Sequence, residues 1–447
     1  MLFWDNCCTF AVEMDLRTLL KSSGVRNFSK LLSANVVAQV IGLVVYPILT
    51  RIYSPEDFGL LNLFLSISGV LVIFSTAEYY NAIVLPKDRK EGLNVVYVCI
   101  SVLLFVVLLT LFSVIFAADI ARLFDAPALT KYYWMMPILV FVSGGWNIVN
   151  YWYIRSNHYN YITYYQLSQS VLSASGKLGF GYAGLLSGGM IYSVVFAPCL
   201  ALLMTAWKSL ISLFKRKYNS REIWATAKKY RNFPLYSLPR SFVNMFAGQL
   251  PVLLLTPLFG SQYVGWWSMA LLLGFMPISM VSKSIYQVLY QYTTERVNSH
   301  LLIGSFFRRF TLIVLMVGIP LFGVLYWFMP DLTLLFLGEG WDNTGVYLRW
   351  MLPWLLSSVL TSSTGFLSDI FFRQKIGFAF EILTALLRTI GVIIGVVVKD
   401  FSISIIGYVL GSCLAVTAQY IWLLTLTIRY DAQIRSSENA ASGGSEK

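Results

Sequence analysis

Residues 50–59 read TRIYSPEDFG, and residues 256–265 read TPLFGSQYVG. Thr50 matches Thr256, Tyr53 matches Phe259 and Gly59 matches Gly265, all at an offset of 206 in a chain of 447 residues. Each stretch is a short hydrophilic connector between two long apolar runs. Further matches follow in the same order: DIARLF at 119–124 with DLTLLF at 331–336, and WMMPIL from Trp134 with WMLPWL from Trp350, at offsets of 212 and 216. Like elements in like order, half a chain apart, predict two similar halves.

Composition sets the solvent around those connectors. Hydrophobic residues make up 57% of the chain and charged ones 12%, with a mean hydropathy of +0.68, too little polar surface for a water-soluble globule of 50.6 kDa. The apolar runs reach the length of about 20 residues that a helix needs to cross hydrocarbon. An all-α polytopic membrane protein is expected, with spans near 28–50, 58–84, 93–117, 132–153, 161–184, 188–207, 233–257, 264–288, 306–329, 347–371, 376–398 and 402–428. Cys7, Cys8, Cys99, Cys199 and Cys413 lack the paired spacing of a zinc site or a disulfide framework, so no metal is expected. The opening MLFWDNCCTFAVEMD carries Asp5, Glu13 and Asp15 where a secretory signal needs basic residues, and Met14 is an alternative start.

Charge tests the count of spans. With a cytoplasmic amino terminus, the inner connectors hold 25 Lys and Arg residues, eight of them between Lys208 and Arg231, and the outer ones hold five. That asymmetry places both termini inside and supports an even number of spans. It also accounts for the net charge of +12 without nucleic acid. The expected division is a cytoplasmic segment over 1–27, a six-helix lobe over 28–207, a basic linker over 208–232, a second six-helix lobe over 233–428 and a flexible tail over 429–447. Six spans per half give both halves the same orientation, related by a pseudo-twofold axis along the membrane normal, with a midplane crevice between them.

Charges within hydrocarbon cost about 2.5–3.5 kcal/mol each on insertion scales, so those that persist face water or a partner. Lys177, Arg240 and Arg388 lie inside spans five, seven and eleven, and Lys283 lies near the inner end of span eight. Glu78 and Glu381 lie inside spans two and eleven. One reading pairs each cation with a carboxylate on a neighbouring helix. The other makes an excess of cations a receptor for phosphate, with arginine as a planar fork and lysine as a point charge. The two carboxylates are candidates for ion or proton coupling or for plain counter-ions. Asn35, Gln39, Asn244 and Gln249 suit sugar hydroxyls or bonds to neighbouring helices. Tyr151, Trp152, Tyr153, Tyr159, Tyr161, Tyr164 and Tyr165 crowd the inner ends of spans four and five, as an interfacial belt or as a sugar-stacking surface. Gly179, Gly181 and Gly184 fit G-x-G-x-x-G but follow no strand, so helix packing is expected there instead of a nucleotide site. His158 and His300 lie in short inner connectors, and nothing in the sequence has a catalytic arrangement, so no enzyme is expected.

The stretch Arg51-Ile52-Tyr53-Ser54-Pro55-Glu56-Asp57-Phe58-Gly59, directly after a polar-spotted first span, resembles a known signature. It is the R-x-(hydrophobic)-x-P-E-D-(aromatic)-G pattern of bacterial polysaccharide transporters. These are the O-antigen and oligosaccharide (Wzx-like) flippases of the multidrug/oligosaccharidyl-lipid/polysaccharide (MOP) exporter superfamily. The resemblance implies two six-helix lobes and a cationic cavity. It also implies alternating access that carries an undecaprenyl-diphosphate-linked glycan from the cytoplasmic to the periplasmic leaflet of the bacterial inner membrane. On that basis Arg240 and Lys283 would attract the diphosphate, and Arg388 and Lys177 would hold it deeper in. The membrane potential or a proton or sodium gradient would drive the cycle, no bound cofactor is implied, and membrane lipids, a polymerase and a chain-length regulator are the expected partners. A drug antiporter of the same fold and a membrane polymerase or ligase are the alternatives.

Overall fold

A computed structural model of the chain describes residues 23–214 and 219–443, helical throughout and without a strand among the described residues. Twelve of its helices have 20 or more residues. They are α1 (Ser23–Ile52), α2 (Pro55–Phe74), α3 (Arg89–Ser113), α4 (Met136–Arg155), α5 (Tyr159–Tyr182), α6 (Leu186–Phe214), α7 (Leu238–Phe259), α8 (Ser261–Asn298), α9 (Gly304–Leu337), α10 (Asp342–Thr364), α11 (Gln374–Val398) and α12 (Phe401–Gly443). Each expected span lies on one of them. Among the described residues seven helices are long and apolar enough to cross a membrane, or eight when the bent pair Phe233–Phe246 and Gly248–Phe259 counts as one span. The amino-terminal segment, Met14 and the side chain of Asn35 lie outside the described residues.

The first connector builds its own helix start. Ser54 caps α2: its Oγ accepts from the Asp57 amide at 3.2 Å, while the Asp57 carboxylate accepts from the Ser54 amide at 3.0 Å. Pro55 occupies the first helical position, where no amide donor is needed, and Glu56 and Asp57 face the positive end of the helix dipole. Tyr53 and Phe58 flank this box and meet edge to face, 6.4 Å between ring centroids, as a hydrophobic staple. The PED motif is therefore a helix cap, worth about 1 kcal/mol through its serine.

One expectation about an element limit is corrected. The second span, expected to reach residue 84, stops at Phe74. There the Ser75 hydroxyl takes the Val72 carbonyl at 2.6 Å, and Ala77 and Glu78 adopt left-handed φ angles of 46° and 63° before a 3-10 turn over Tyr79–Val84. The basic linker is partly structured: Ser220–Lys229 forms a helix capped by Asn219. Lys90 binds Glu222 at 3.0 Å, Lys229 pairs with Glu91, and Tyr79 donates to the Ala227 carbonyl at 3.1 Å, which fastens this helix to the start of α3.

By contact the chain forms two compact units. The first comprises Leu19–Ser268 with Phe336–Trp341, and the second comprises Met269–Leu335 with Asp342–Lys447. Within the first, α1 packs on α5, α5 on α6, α3 on α4 and α2 on α7. Its core around Ile83, Val95, Val96, Cys99 and Ile148 holds α3, α4 and the 3-10 turn together. Within the second, α12 packs on α10 and α11, and Leu289, Phe307, Phe366 and Leu423 form a separate core. The α11–α12 crossing is close because Gly391 and Gly407 face each other backbone to backbone: a Cβ on either would fall on the other's peptide group.

Candidate substrate path

In the first unit the two repeated connectors pack on one another. A Cβ at Gly59 would fall on the carbonyl of Ser261, and one at Gly265 would fall on the carbonyl of Pro55. Pro55 and Ser261 are themselves related by the offset of 206, so the contact is reciprocal, as two copies meeting across a twofold axis require. Deeper along the same pair, Ser66 of α2 donates to the Gln249 side chain of α7 at 2.7 Å, and Gly69 leaves room for Met245. Gln249 thus bonds a neighbouring helix.

The connector Leu337–Trp341 covers this junction. Thr50 donates to the Leu337 carbonyl at 2.7 Å, and the Trp341 indole, 1% exposed, donates to the Thr50 carbonyl at 3.2 Å and stands edge-on to Phe58 at 5.2 Å. Trp266, just past the second repeated connector, donates to the Gly340 carbonyl at 2.7 Å. One segment therefore ties both copies of the turn, on the side that the charge distribution reads as outer.

Arg388, midway along α11, is held by neutral groups. Its guanidinium lies 5.1 Å from the centroid of Trp354 and 5.2 Å from that of Tyr408, and its Nε donates to Ser412 at 2.8 Å. Phe275 braces Trp354 at 4.6 Å. Two desolvated cation–π contacts of about 1–2 kcal/mol each, with a hydrogen bond of about 1 kcal/mol, offset an insertion cost of about 3 kcal/mol. No carboxylate pairs with Arg388 among the described residues, so its outer guanidinium edge keeps donors for an anion.

The remaining predicted residues are distributed between the units. Lys177 of α5 is half-buried in the first, its carbonyl accepting from the Tyr53 hydroxyl at 2.6 Å. Gly181, one turn on, leaves the space that the Tyr53 ring fills, whereas a Cβ at Gly179 or Gly184 would meet nothing within 4 Å and Gly184 serves the turn after α5 with a φ of 76°. Arg240 and Asn244 are exposed on α7, one turn apart. Gln39 of α1 has a buried side-chain oxygen with no partner. Glu78 is buried, yet lies in the left-handed turn beyond α2 instead of within a span, with its carboxylate accepting from Asn81 at 2.6 Å. In the second unit Lys283 is exposed on α8 and Glu381 is exposed on α11. Among the described residues no ion pair links either carboxylate to Lys177, Lys283 or Arg388. Sequence reasoning missed the aromatic box around Arg388 and the covering connector; the sole sequence signal for either was the tryptophan content of WMLPWL and GEGW.

Solved structures fix the fold class. An inward-facing MATE-family multidrug resistance transporter of the MOP superfamily aligns with a TM-score of 0.64 at 17% identity, covering 90% of this chain and 95% of that one. The lipid II flippase MurJ, in an inward closed conformation, aligns with a TM-score of 0.66 at 14% identity over 90% of each chain. A MATE structure in complex with MaD3S aligns at 0.54 and 16% identity, covering 94% of this chain and 99% of that one. The chain thus has the all-α, polytopic MOP transporter fold. The sequence profile of the polysaccharide biosynthesis protein family matches residues 48–345, and the chain belongs to that family. No curated protein sequence matches it.

Proposed function

We propose that this protein is a flippase for an undecaprenyl-diphosphate-linked oligosaccharide, an O-antigen or related surface-polysaccharide repeat unit. It moves its cargo from the cytoplasmic to the periplasmic leaflet of the bacterial inner membrane by alternating access. The observation that carries this reading is Arg388, a cation at mid-helix stabilised by Trp354, Tyr408 and Ser412 with no acid paired to it among the described residues. Such a group suits a diphosphate and is ill matched to the cationic cargo of a drug antiporter. The family membership and the likeness of fold to a lipid II flippase point the same way.

In this mechanism Arg240 and Lys283 draw the diphosphate in from the cytoplasmic side. Arg388 and Lys177 hold it in transit, while Asn35, Gln39 and Asn244 offer donors and acceptors to the glycan and the polyprenyl tail trails in lipid. The reciprocal contact of the two repeated turns is the outer closure, and it opens to release the cargo. Glu78 and Glu381 are the groups through which a proton or sodium gradient would act; the membrane potential is the other source of drive. A polymerase and a chain-length regulator take the product onward. The test is charge-neutral substitution. Arg240→Gln combined with Arg388→Gln should abolish surface polysaccharide at normal protein abundance, and wild-type polysaccharide levels in that variant would refute the cationic path.

A further inference from the structure

The inner ends of α3, α4, α5 and α6 line a half-open cavity of about 770 Å³ that the transport path does not use. Its polar wall is Arg89, Arg155 and His158, and its apolar wall includes Trp152, Tyr161 and Trp207. The two arginines differ in freedom. Arg155 is pinned: it donates to the carbonyls of Ile83 and Asp88, each at 2.9 Å, and Gly92 makes room for its guanidinium against the start of α3. Arg89, the first residue of α3, is exposed and has no protein partner among the described residues. His158 packs against the rings of Tyr153 and Tyr161, which leaves its polar edge for a ligand.

What enters is indicated by the way in. Phe196, Leu200, Leu203, Met204 and Trp207 form one exposed stripe down α6, at spacings of three and four residues, and its last two members are part of the cavity wall. An aliphatic chain lying along that stripe would deliver its headgroup between Arg89 and His158. Basic pockets between transmembrane helices on the cytoplasmic side suit anionic headgroups, each Lys or Arg near the surface adding about fivefold in affinity. We infer that this cavity binds the phosphodiester headgroup of an anionic phospholipid of the inner leaflet, with its acyl chain on the α6 stripe. This does not depend on the identity of the transported glycan.

The test titrates the purified full chain in neutral detergent with phosphatidylglycerol, with phosphatidylethanolamine, and with phosphatidylglycerol in the presence of millimolar inorganic phosphate, counting bound lipids by native mass spectrometry. One phosphatidylglycerol should bind at least about fivefold more tightly than phosphatidylethanolamine, and inorganic phosphate should not displace it. Arg89→Gln should remove that preference and Arg89→Lys should keep it. Because Arg89 makes no contact that folding needs, an unchanged helical spectrum should accompany both. Equal affinity for the two lipids, retention of the preference in Arg89→Gln, or displacement by inorganic phosphate would each overturn the assignment.

Discussion

Replacing Gly59 by leucine puts the outer closure to a quantitative test. The new Cβ would land on the Ser261 carbonyl, and the obstacle is backbone, which no rotamer change can clear. Overpacking of this kind costs about 1–3 kcal/mol. If the open arrangement separates the turns, only the closed one bears that cost, and the balance shifts toward open by about 5- to 150-fold. Ser66 reports the change, because it is 2% exposed and bonded to Gln249 when the turns are together. In a chain with its five native cysteines replaced by alanine, Ser66→Cys should react slowly with a membrane-impermeant maleimide added from outside. The same site with Gly59→Leu should react at least about fivefold faster. Gly265→Leu should act alike, and the two together should add little, since both break one contact. Gly323→Leu, where a Cβ meets nothing within 4 Å, is the control. Unchanged labelling in a folded Gly59→Leu protein would show that the repeated turns do not form the closure.

Two further outcomes follow from the same contacts. Ser54→Ala should lower stability by about 1 kcal/mol through loss of the α2 cap, read as a reduced melting temperature in detergent, whereas Ser54→Asp should retain most of it. The Glu222 carboxyl is held below the usual carboxylate range by Lys90 and Asn94. A lowered folded-state pKa gives stabilisation that is present above the ordinary value and is lost as pH falls through the folded one. The linker helix should therefore stay docked at neutral pH and loosen under acid, with amide exchange over Ser220–Lys229 rising below about pH 4; Glu222→Gln should weaken that dependence, and Glu91→Gln added to it, which neutralises the carboxylate paired with Lys229, should remove it.

Much of the fold was legible because membrane helices must satisfy their backbone internally and carry apolar faces, so hydropathy marks them directly. The constant offset between the two connectors announced their structural equivalence, whereas the helix cap built by Ser54 and Asp57 emerged only with the structure. What sequence could not supply was contact. Trp354 and Tyr408 come to Arg388 from two other helices, and nothing in their spacing distinguishes a cation box from ordinary core. The break after Phe74 escaped notice because Ala77 and Glu78 take left-handed angles without a glycine or proline to mark the turn. The linker helix is short and charged, and tertiary ion pairs with α3 support it more than its own propensity does.

Transport itself is tested most directly in liposomes holding the purified chain and an undecaprenyl-diphosphate oligosaccharide confined at the start to one leaflet, with exposure of the glycan read by a glycosidase that cannot cross the bilayer. The account predicts that glycan becomes accessible with the wild-type protein and with Gly323→Leu, and stays protected with Arg388→Gln. Equal accessibility with wild type and Arg388→Gln, or none with wild type while a drug cation is moved, would contradict it.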